Sequence, residues 1–208
     1  MGIRCAVFDE WLQKRMDEMP DAAVIHIGCG MDGRILRTGA GNHAWYDVDF
    51  PEVIAERKRY YSEAAGYQML PGDARNCDWL QKIPENQNAI VVMEGVSMYL
   101  SLPQLHALTE NLCAHFRRIA LLMDCYTVLA AKMSKYKNPV HGVGVHQVYG
   151  IAGPQQAEHG ALSFITEHPM TPEKYIDALR GGEKLIFRSL YAGRMSKKLY
   201  RLYEYRKG

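Results

Sequence analysis

A glycine-rich turn after a short apolar run is the part of the chain best suited to bind a ligand. Residues 24–27 are Val-Ile-His-Ile, and residues 28–33 read Gly-Cys-Gly-Met-Asp-Gly. Glycines at such a turn let backbone N–H groups approach a ligand closely. A second apolar run, residues 44–48, leads to Asp49, where an acid accepts hydrogen bonds from ribose hydroxyls. The spacing predicts a nucleotide-containing cofactor, and it suits NAD(P) and S-adenosylmethionine about equally well.

Carboxylates follow three successive predicted strands. Asp49 ends the second strand, Asp73 follows the third, and Glu94 follows the fourth. Ligands of doubly wound sheets bind at the carboxyl ends of the strands, so these side chains should meet at one edge. S-adenosylmethionine carries a sulfonium and an ammonium group that carboxylates attract, whereas they would repel the pyrophosphate of a dinucleotide. The acids favour S-adenosylmethionine. An NAD(P)-dependent oxidoreductase stays the alternative, because residues 28–33 also satisfy G-x-G-x-x-G.

Helical and strand-like runs alternate along the first 125 residues. Helices are predicted over 4–19, 31–38, 52–65 and 103–116, and strands over 22–27, 44–48, 67–70, 89–93 and 119–123. This alternation predicts an α/β fold with a mostly parallel, Rossmann-like sheet and helices on both faces. Residues 184–191 and 198–205 are predicted to form a terminal antiparallel hairpin. Class I methyltransferases end in this way, whereas NAD-binding folds usually continue with parallel strands.

Length and composition limit the domain count and the class of partner. We expect residues 1–208 to form a single methyltransferase domain. Residues 126–172 are expected to be an insertion that covers the substrate, because the stretch rich in Gly and His within them is long for a loop. The net charge of +2 is too small to indicate nucleic acid or an anionic membrane as partner. The expected partner is a small-molecule substrate.

The expected compartment follows from cysteine usage and the absence of long apolar runs. The five cysteines show no CxxC spacing and are predicted to be reduced. No run approaches 18 apolar residues, the length that would indicate a transmembrane helix. The sequence therefore predicts a cytoplasmic protein.

Four segments together match a known family. They are Arg-Cys-Ala-Val-Phe-Asp at 4–9, Ile-Gly-Cys-Gly-Met-Asp-Gly-Arg at 27–34, Trp-Tyr-Asp-Val-Asp-Phe-Pro-Glu-Val at 45–53 and Met-Glu-Gly-Val-Ser-Met-Tyr-Leu at 93–100. With these segments the chain resembles the leucine carboxyl methyltransferase superfamily, and within it the branch of tetracenomycin-type polyketide-synthesis O-methyltransferases. The resemblance implies S-adenosylmethionine as cofactor and an acceptor from secondary metabolism.

The resemblance also implies which residues hold the methionine part of the cofactor. Arg4 would pair with its carboxylate. The turn formed by Gly28, Cys29 and Gly30 would pass under the methionine moiety. Glu94 would face the same end of the ligand.

The remaining implied contacts lie along the nucleoside and at the methyl group. Asp49 would hold the ribose hydroxyls, and Asp73 and Ala74 would flank the adenine. Tyr99 would lie at the mouth, near the transferred methyl. It is also a weak candidate for a catalytic residue.

The resemblance implies carboxyl methylation, with hydroxyl methylation as the alternative. A carboxylate is ionised at neutral pH and needs no general base, whereas a phenol, with a pKa of about 10, would benefit from one. Candidate bases are His141, His146 and His159. The spacing of the first two would suit a metal on a helix, but Gly142 and Gly144 make a helix there unfavourable, so no metal is expected.

Three further expectations concern the surroundings of the site. Family members usually carry several dozen residues before the helix that begins this chain, so we expect either a shortened form or a cover supplied by a partner subunit. Tyr200, Tyr203 and Tyr205 suit a strand, and those facing outward are candidates for a subunit contact, which leaves a homodimer open.

For Asp47 we favour a surface role, with a place beside Asp49 as the alternative. A non-catalytic cofactor-binding protein of the same fold is a further alternative.

Overall fold

One mostly parallel sheet organises the fold, as seen in a computed structural model that describes residues 2–134, 147–177 and 196–208. Its strands are β1 (Ala23–Ile27), β2 (Trp45–Asp49), β3 (Tyr67–Pro71), β4 (Asn88–Met93), β5 (Arg118–Tyr126), β6 (Ser163–His168) and β7 (Tyr200–Lys207). They lie in the order β3-β2-β1-β4-β5-β7-β6. The pairs among β1 to β5 are parallel, and β7 runs antiparallel to both β5 and β6. The predicted fold class is confirmed.

Helices connect the strands and cover the sheet. They are α1 (Gly2–Glu18), α2 (Arg34–Thr38), α3 (Pro51–Arg57), α4 (Leu102–His115), α5 (Val128–Ser134), α6 (Glu173–Asp177) and α7 (Ser196–Leu199). The start of α4 has a capping box, in which Ser101 and Gln104 satisfy each other's exposed backbone groups. The structure ends α3 at Arg57, earlier than the predicted end at residue 65, and the chain continues there as turns.

The core consists of two apolar layers, one on each face of the sheet. The central strands β1 and β4 are buried along their whole length, as parallel strands covered on both faces should be. Phe8, Trp11 and Leu12 of α1 cover one face, and Leu105 and Leu108 of α4 contribute to the other. The first helix of the chain is therefore a structural layer that fixes the site edge of the sheet.

The terminal strand differs in its surroundings from the predicted hairpin. Residues 184–191 lie outside the described residues, so that half of the hairpin is not seen. Strand β6 occupies residues 163–168, within the range predicted as substrate cover, and forms the edge of the sheet beside β7. The cover role of the rest of 126–172 stays a prediction.

Two of the three tyrosines of β7 point into the core. Tyr203 and Tyr205 are buried in the core, and the Tyr205 hydroxyl donates to the Pro154 carbonyl at 2.9 Å. Tyr200 binds charged side chains described below. Tyr203 and Tyr205 therefore do not face outward, because both faces of the strand are covered at these positions, and a subunit contact through the half-buried Tyr200 stays a prediction.

Candidate active site

The glycine turn after β1 and the acid at the end of β2 form one hydrogen-bonded unit. The Gly30 N–H donates to Asp49 Oδ2 at 2.7 Å, and the Phe50 N–H donates to Asp49 Oδ1 at 2.8 Å. A carboxylate oxygen can accept two hydrogen bonds, so each oxygen of Asp49 can accept a further one from a ribose hydroxyl. Parallel pairing of β1 with β2, which sets Ile27 opposite Val48, brings the two motifs together.

Gly28 is the tightest point of the site. Its φ is +68°, and a Cβ built on it would lie 2.2 Å from Val96 Cγ2. Both the conformation and the space therefore require glycine. The turn after β1 thus packs directly on the turn after β4, with bare backbone at this position.

Cys29 serves this turn through its size. The side chain is buried, and burial raises the pKa of its thiol well above the usual range. The residue is therefore neutral and unreactive at physiological pH. It fills the space between the glycine turn and the core.

Arg4 of α1 lies across the carboxyl ends of β4 and β5. Its Nε donates to Glu94 Oε1 at 2.7 Å, and its Nη1 donates to Asp124 Oδ2 at 3.0 Å and to the Tyr200 hydroxyl at 2.9 Å. Its Nη2 lies 3.8 Å from the Cβ position of Gly95 and, within the described residues, has no hydrogen-bond acceptor. With 26% of the side chain exposed, Nη2 is free to donate two hydrogen bonds to a carboxylate ligand.

A second, fully buried arginine completes this end of the site. Arg34 donates to Asp9 Oδ1 at 2.8 Å, to Asp32 Oδ2 at 3.0 Å and to Glu94 Oε2. Glu94 is thus held between Arg4 and Arg34, with 7% of its side chain exposed. Sequence reasoning missed Arg34, although it ends the glycine motif at 27–34. An arginine at the start of a helix beside several acids was the available signal.

Asp73 and Ala74, the residues predicted to flank the adenine, follow β3 at the same edge of the sheet. The Asp73 carboxylate accepts from Arg75 Nε at 2.9 and 3.0 Å and from the Arg75 N–H at 2.8 Å. Burial opposes ionisation of Asp73, but these hydrogen bonds lower its pKa. Ala74 is partly buried and packs on the core beside it.

Phe50 is a further surface at the adenine end that sequence reasoning missed. Its ring is 46% exposed, and the Arg75 guanidinium lies 5.8 Å from the ring centroid. An exposed aromatic ring directly after Asp49 offers a flat surface on which a nucleobase can stack. The signal was available, because an aromatic residue directly follows the strand-end acid.

Tyr99, which is predicted to lie at the mouth of the site, ends a short 3-10 helix, Ser97–Tyr99. The residue is 38% exposed. Partial burial raises the pKa of its hydroxyl, and the neighbouring Tyr126 and Asp124 raise it further. Tyr99 is therefore protonated at neutral pH and can donate a hydrogen bond.

Residues 148–151 form a wall beside this mouth. The Tyr149 N–H donates to the Met98 carbonyl at 2.8 Å, and the Ile151 N–H donates to the Tyr126 carbonyl at 2.9 Å. The contact is close, since a Cβ on Gly150 would lie 2.3 Å from the Thr127 carbonyl oxygen. A cavity of about 90 Å³ lies behind the wall, lined by Ser97, Leu100, Leu102, Leu105, Tyr149, Gly150, Ile151 and Gln156.

Asp47 lies beneath the site and is not at the surface. Its Oδ2 accepts from Arg57 Nη2 at 2.6 Å and from the Tyr67 hydroxyl at 2.7 Å. The surface role expected for Asp47 is wrong, since the residue is fully buried, whereas the alternative place beside Asp49, two positions along the same strand, stays a prediction. Asp47 lies one pleat deeper in the strand, where α3 supplies a buried arginine as its partner.

Of the three candidate bases, His159 is the one that lies within the described residues. His159 stacks on His106 of α4 with ring centroids 4.5 Å apart, and its Nε2 lies 3.5 Å from Glu110 Oε2. His141 and His146 lie outside the described residues. A catalytic role for any of the three stays a prediction. Within the described ranges, no group of three or more His, Cys, Asp or Glu side chains is arranged to hold a metal ion.

Comparison with known proteins identifies the family. Residues 1–113 match the family described as leucine carboxyl methyltransferase. This chain belongs to the leucine carboxyl methyltransferase family. It is 30% identical over 186 residues to the tetracenomycin polyketide synthesis O-methyltransferase TcmP of Streptomyces glaucescens, a match covering 88% of this chain and 69% of TcmP. It is 31% identical over 127 residues to the S-adenosyl-L-methionine-dependent methyltransferase dpfgK of Gibberella zeae, covering 56% of this chain and 42% of that protein.

Solved structures share the fold of this family member. Magnesium protoporphyrin IX methyltransferase from Synechocystis PCC 6803, with bound SAH, superposes with a TM-score of 0.56 at 12% identity, covering 98% of this chain and 81% of the other. A putative sarcosine dimethylglycine methyltransferase from Galdieria sulphuraria gives 0.58 at 14% identity, covering 97% and 84%. The predictions of family, methyltransferase activity and S-adenosylmethionine as cofactor are confirmed, and the oxidoreductase alternative is not favoured.

None of the helices in the described ranges is long and apolar enough to cross a membrane.

Proposed function

We propose that this methyltransferase transfers the methyl group of S-adenosylmethionine to an oxygen of a small organic molecule, with a carboxylate as the acceptor. The observation that carries the proposal is the arrangement along one sheet edge. Asp49 lies at one end, and Glu94 with the free Nη2 of Arg4 lies at the other. The resemblance to TcmP, named as a polyketide synthesis O-methyltransferase, supports oxygen methylation in secondary metabolism.

The residues present suit the groups of this cofactor. Nη2 of Arg4 is available for the carboxylate, Glu94 adds negative charge for the ammonium, and Asp49 can accept from the ribose. The turn at Gly28 lies between these groups and packs on Val96. When bound, S-adenosylmethionine supplies a methyl group that is already activated for displacement. The chain's main task is therefore to align the acceptor oxygen with that methyl.

The groups at the mouth favour a carboxylate acceptor over a hydroxyl. Tyr99 is protonated at neutral pH, so it can donate to an acceptor and cannot remove its proton. Glu94 and Asp124 are both engaged by Arg4. A carboxylate is already ionised and needs no base. A hydroxyl acceptor would need a base from residues other than these three.

The setting of the enzyme completes the proposal. We place it in the cytoplasm, and its five free cysteines support a reducing compartment.

A homodimer in which the partner subunit covers the mouth is retained as a proposal. Size-exclusion chromatography with light scattering tests it, and a monomer at micromolar concentration would contradict it.

Binding and transfer are tested separately. Titration calorimetry should show binding of S-adenosylhomocysteine and none of NADH; the reverse result would overturn the proposal. The protein is then incubated with methyl-labelled S-adenosylmethionine and matched pairs of small carboxylic acids and phenols. Methyl esters release labelled methanol in mild alkali, whereas methyl ethers do not. Alkali-labile label supports a carboxylate acceptor, and alkali-stable label would establish a hydroxyl instead.

A non-catalytic role gives a different result in the same assay. In that case S-adenosylhomocysteine binds, but no label reaches any acceptor in the panel or in a cell extract. Labelled product from the extract alone would support catalysis and show that the panel lacks the acceptor.

A further inference from the structure

Asp124, at the carboxyl end of β5, is a buried carboxylate that neither the sequence motifs nor the family resemblance assigns. Its side chain has no exposed surface. Burial raises the pKa of Asp124 to about 6, although Arg4, the Gly95 N–H and the Tyr200 hydroxyl all favour its ionised form. A buried anion at this position is costly unless its hydrogen bonds are satisfied, so its partners show what it holds in place.

One oxygen of this carboxylate belongs to a closed triangle with Arg4 and Tyr200. Arg4 Nη1 lies 3.0 Å from Asp124 Oδ2 and 2.9 Å from the Tyr200 hydroxyl, which itself donates to Asp124 Oδ2 at 2.9 Å. The triangle uses both hydrogens of Nη1, and Glu94 takes the hydrogen of Nε. These hydrogen bonds fix the plane of the Arg4 guanidinium group. Within the described residues, Nη2 is the nitrogen of this group that has no hydrogen-bond acceptor.

The other oxygen holds the turn on which the methionine part of the cofactor would lie. The Gly95 N–H donates to Asp124 Oδ1 at 2.7 Å, and the Ser97 hydroxyl donates to the Asp124 carbonyl. Between these two residues lies Val96, the side chain that packs on Gly28. One carboxylate therefore ties together α1, the turn after β4, and β7.

We propose that Asp124 and Tyr200 are positioning residues that aim Arg4 Nη2 at the carboxylate of the cofactor. Neither residue needs to touch the cofactor, because both act through the guanidinium. The proposal rests on the proposed function, in that it requires a cofactor with an amino-acid carboxylate. It predicts selective loss of affinity for ligands that carry this carboxylate.

The test compares two ligands that differ in the amino-acid part. S-adenosylhomocysteine carries the carboxylate, whereas 5′-methylthioadenosine has the same nucleoside and thioether without it. Tyr200→Phe removes the hydrogen bonds that its hydroxyl makes with Arg4 and Asp124, so by calorimetry it should weaken S-adenosylhomocysteine binding about fivefold. Binding of 5′-methylthioadenosine should change less than about twofold, because the adenosine contacts remain. Asp124→Asn should weaken S-adenosylhomocysteine binding more than Tyr200→Phe does.

Tyr205→Phe is the matched control. It removes a buried hydroxyl from the same strand, one that donates to the Pro154 carbonyl and not to Arg4 or Asp124. Both ligands should bind it as they bind the wild type. Unchanged S-adenosylhomocysteine affinity in folded Tyr200→Phe would overturn the proposal, as would equal weakening for both ligands. Failure of the wild type to bind S-adenosylhomocysteine would instead count against the proposed function. If Asp124→Asn does not fold, Tyr200→Phe alone decides.

Discussion

Arg57 and Asp47 form a buried ion pair directly beneath the glycine turn. Arg57 Nη2 lies 2.6 Å from Asp47 Oδ2, and both side chains have no exposed surface. The second terminal nitrogen, Nη1, donates to the Gly30 carbonyl at 2.9 Å. The pair thus links α3, β2 and the glycine turn. It holds the Gly30 backbone, whose N–H donates to Asp49.

Removing one partner of this pair should destabilise the protein strongly. Arg57→Ala leaves the Asp47 carboxylate buried without its cation, which costs about 3–5 kcal/mol of unfolding free energy. Arg59→Ala removes an exposed arginine whose partner is Glu56 and should change stability by less than about 0.5 kcal/mol. Urea unfolding followed by circular dichroism measures both. If both substitutions lower the free energy of unfolding equally, the buried pair stabilises the protein no more than the exposed pair does.

The two glycines that flank Cys29 should respond differently to a methyl group. Gly28→Ala meets Val96 and adopts a φ of +68°, so we expect a loss above about 2 kcal/mol and weakened S-adenosylhomocysteine binding. Gly30→Ala has a φ of +50° with no atom within 4 Å of the new Cβ, so about 1 kcal/mol is expected.

The steric part of the Gly28 effect can be separated in a double-mutant cycle. Val96→Ala removes the Cγ2 atom that the new methyl would strike. Gly28→Ala should therefore cost less when Val96 is already alanine, and only the conformational part should remain. An unchanged cost in that background would rule out the clash as the cause.

Asp49 should contribute to binding through the ribose. Asp49→Ala removes a charged acceptor and frees the Gly30 and Phe50 N–H groups, so S-adenosylhomocysteine should bind about 10- to 100-fold more weakly. Asp17→Ala, on the exposed face of α1, should leave the affinity unchanged. Calorimetry on both variants tests the assignment. Normal binding by folded Asp49→Ala would remove this residue from the site.

Glu204 should make stability depend on pH. Burial opposes its ionisation, but hydrogen bonds from His168 at 2.8 Å and Trp11 at 3.0 Å, with the charge of Arg15, lower its pKa to about 2. The folded state therefore favours the carboxylate more than the unfolded state does. The stabilisation from ionised Glu204 is present above its ordinary pKa of 4.5 and is lost as the pH falls toward 2.

Glu204→Gln tests this linkage. Urea unfolding at pH 6, 4.5 and 3 should give a wild-type stability that falls more steeply than that of the variant. The difference between them should be largest at pH 6 and shrink toward pH 3. Parallel curves for the two proteins would show that Glu204 has the same pKa in both states.

The strands and the acids at their ends could be predicted because both signals are local. The predicted runs that lead to Asp49 and Glu94 correspond to β2 and β4 within one or two residues at each end. The end of α3 was missed: the helix ends at Arg57, and residues 58–60 form turns where the prediction had continued it to residue 65. The inward tyrosines of β7 were missed because a strand's alternation does not tell whether one or both faces are covered.

By itself, the sequence determined the α/β class, because glycine turns, strand-end acids and apolar spacing are short-range patterns, and the resemblance of four segments indicated the family and its cofactor. The tertiary structure decided which charges meet. Arg4 reaches Asp124 and Tyr200, which lie 120 and 196 positions away, and Arg34 and Arg57 are buried against acids from other elements. A charged side chain shows no such partner in sequence, since its burial depends on an opposite charge that only the packed sheet and helices bring near.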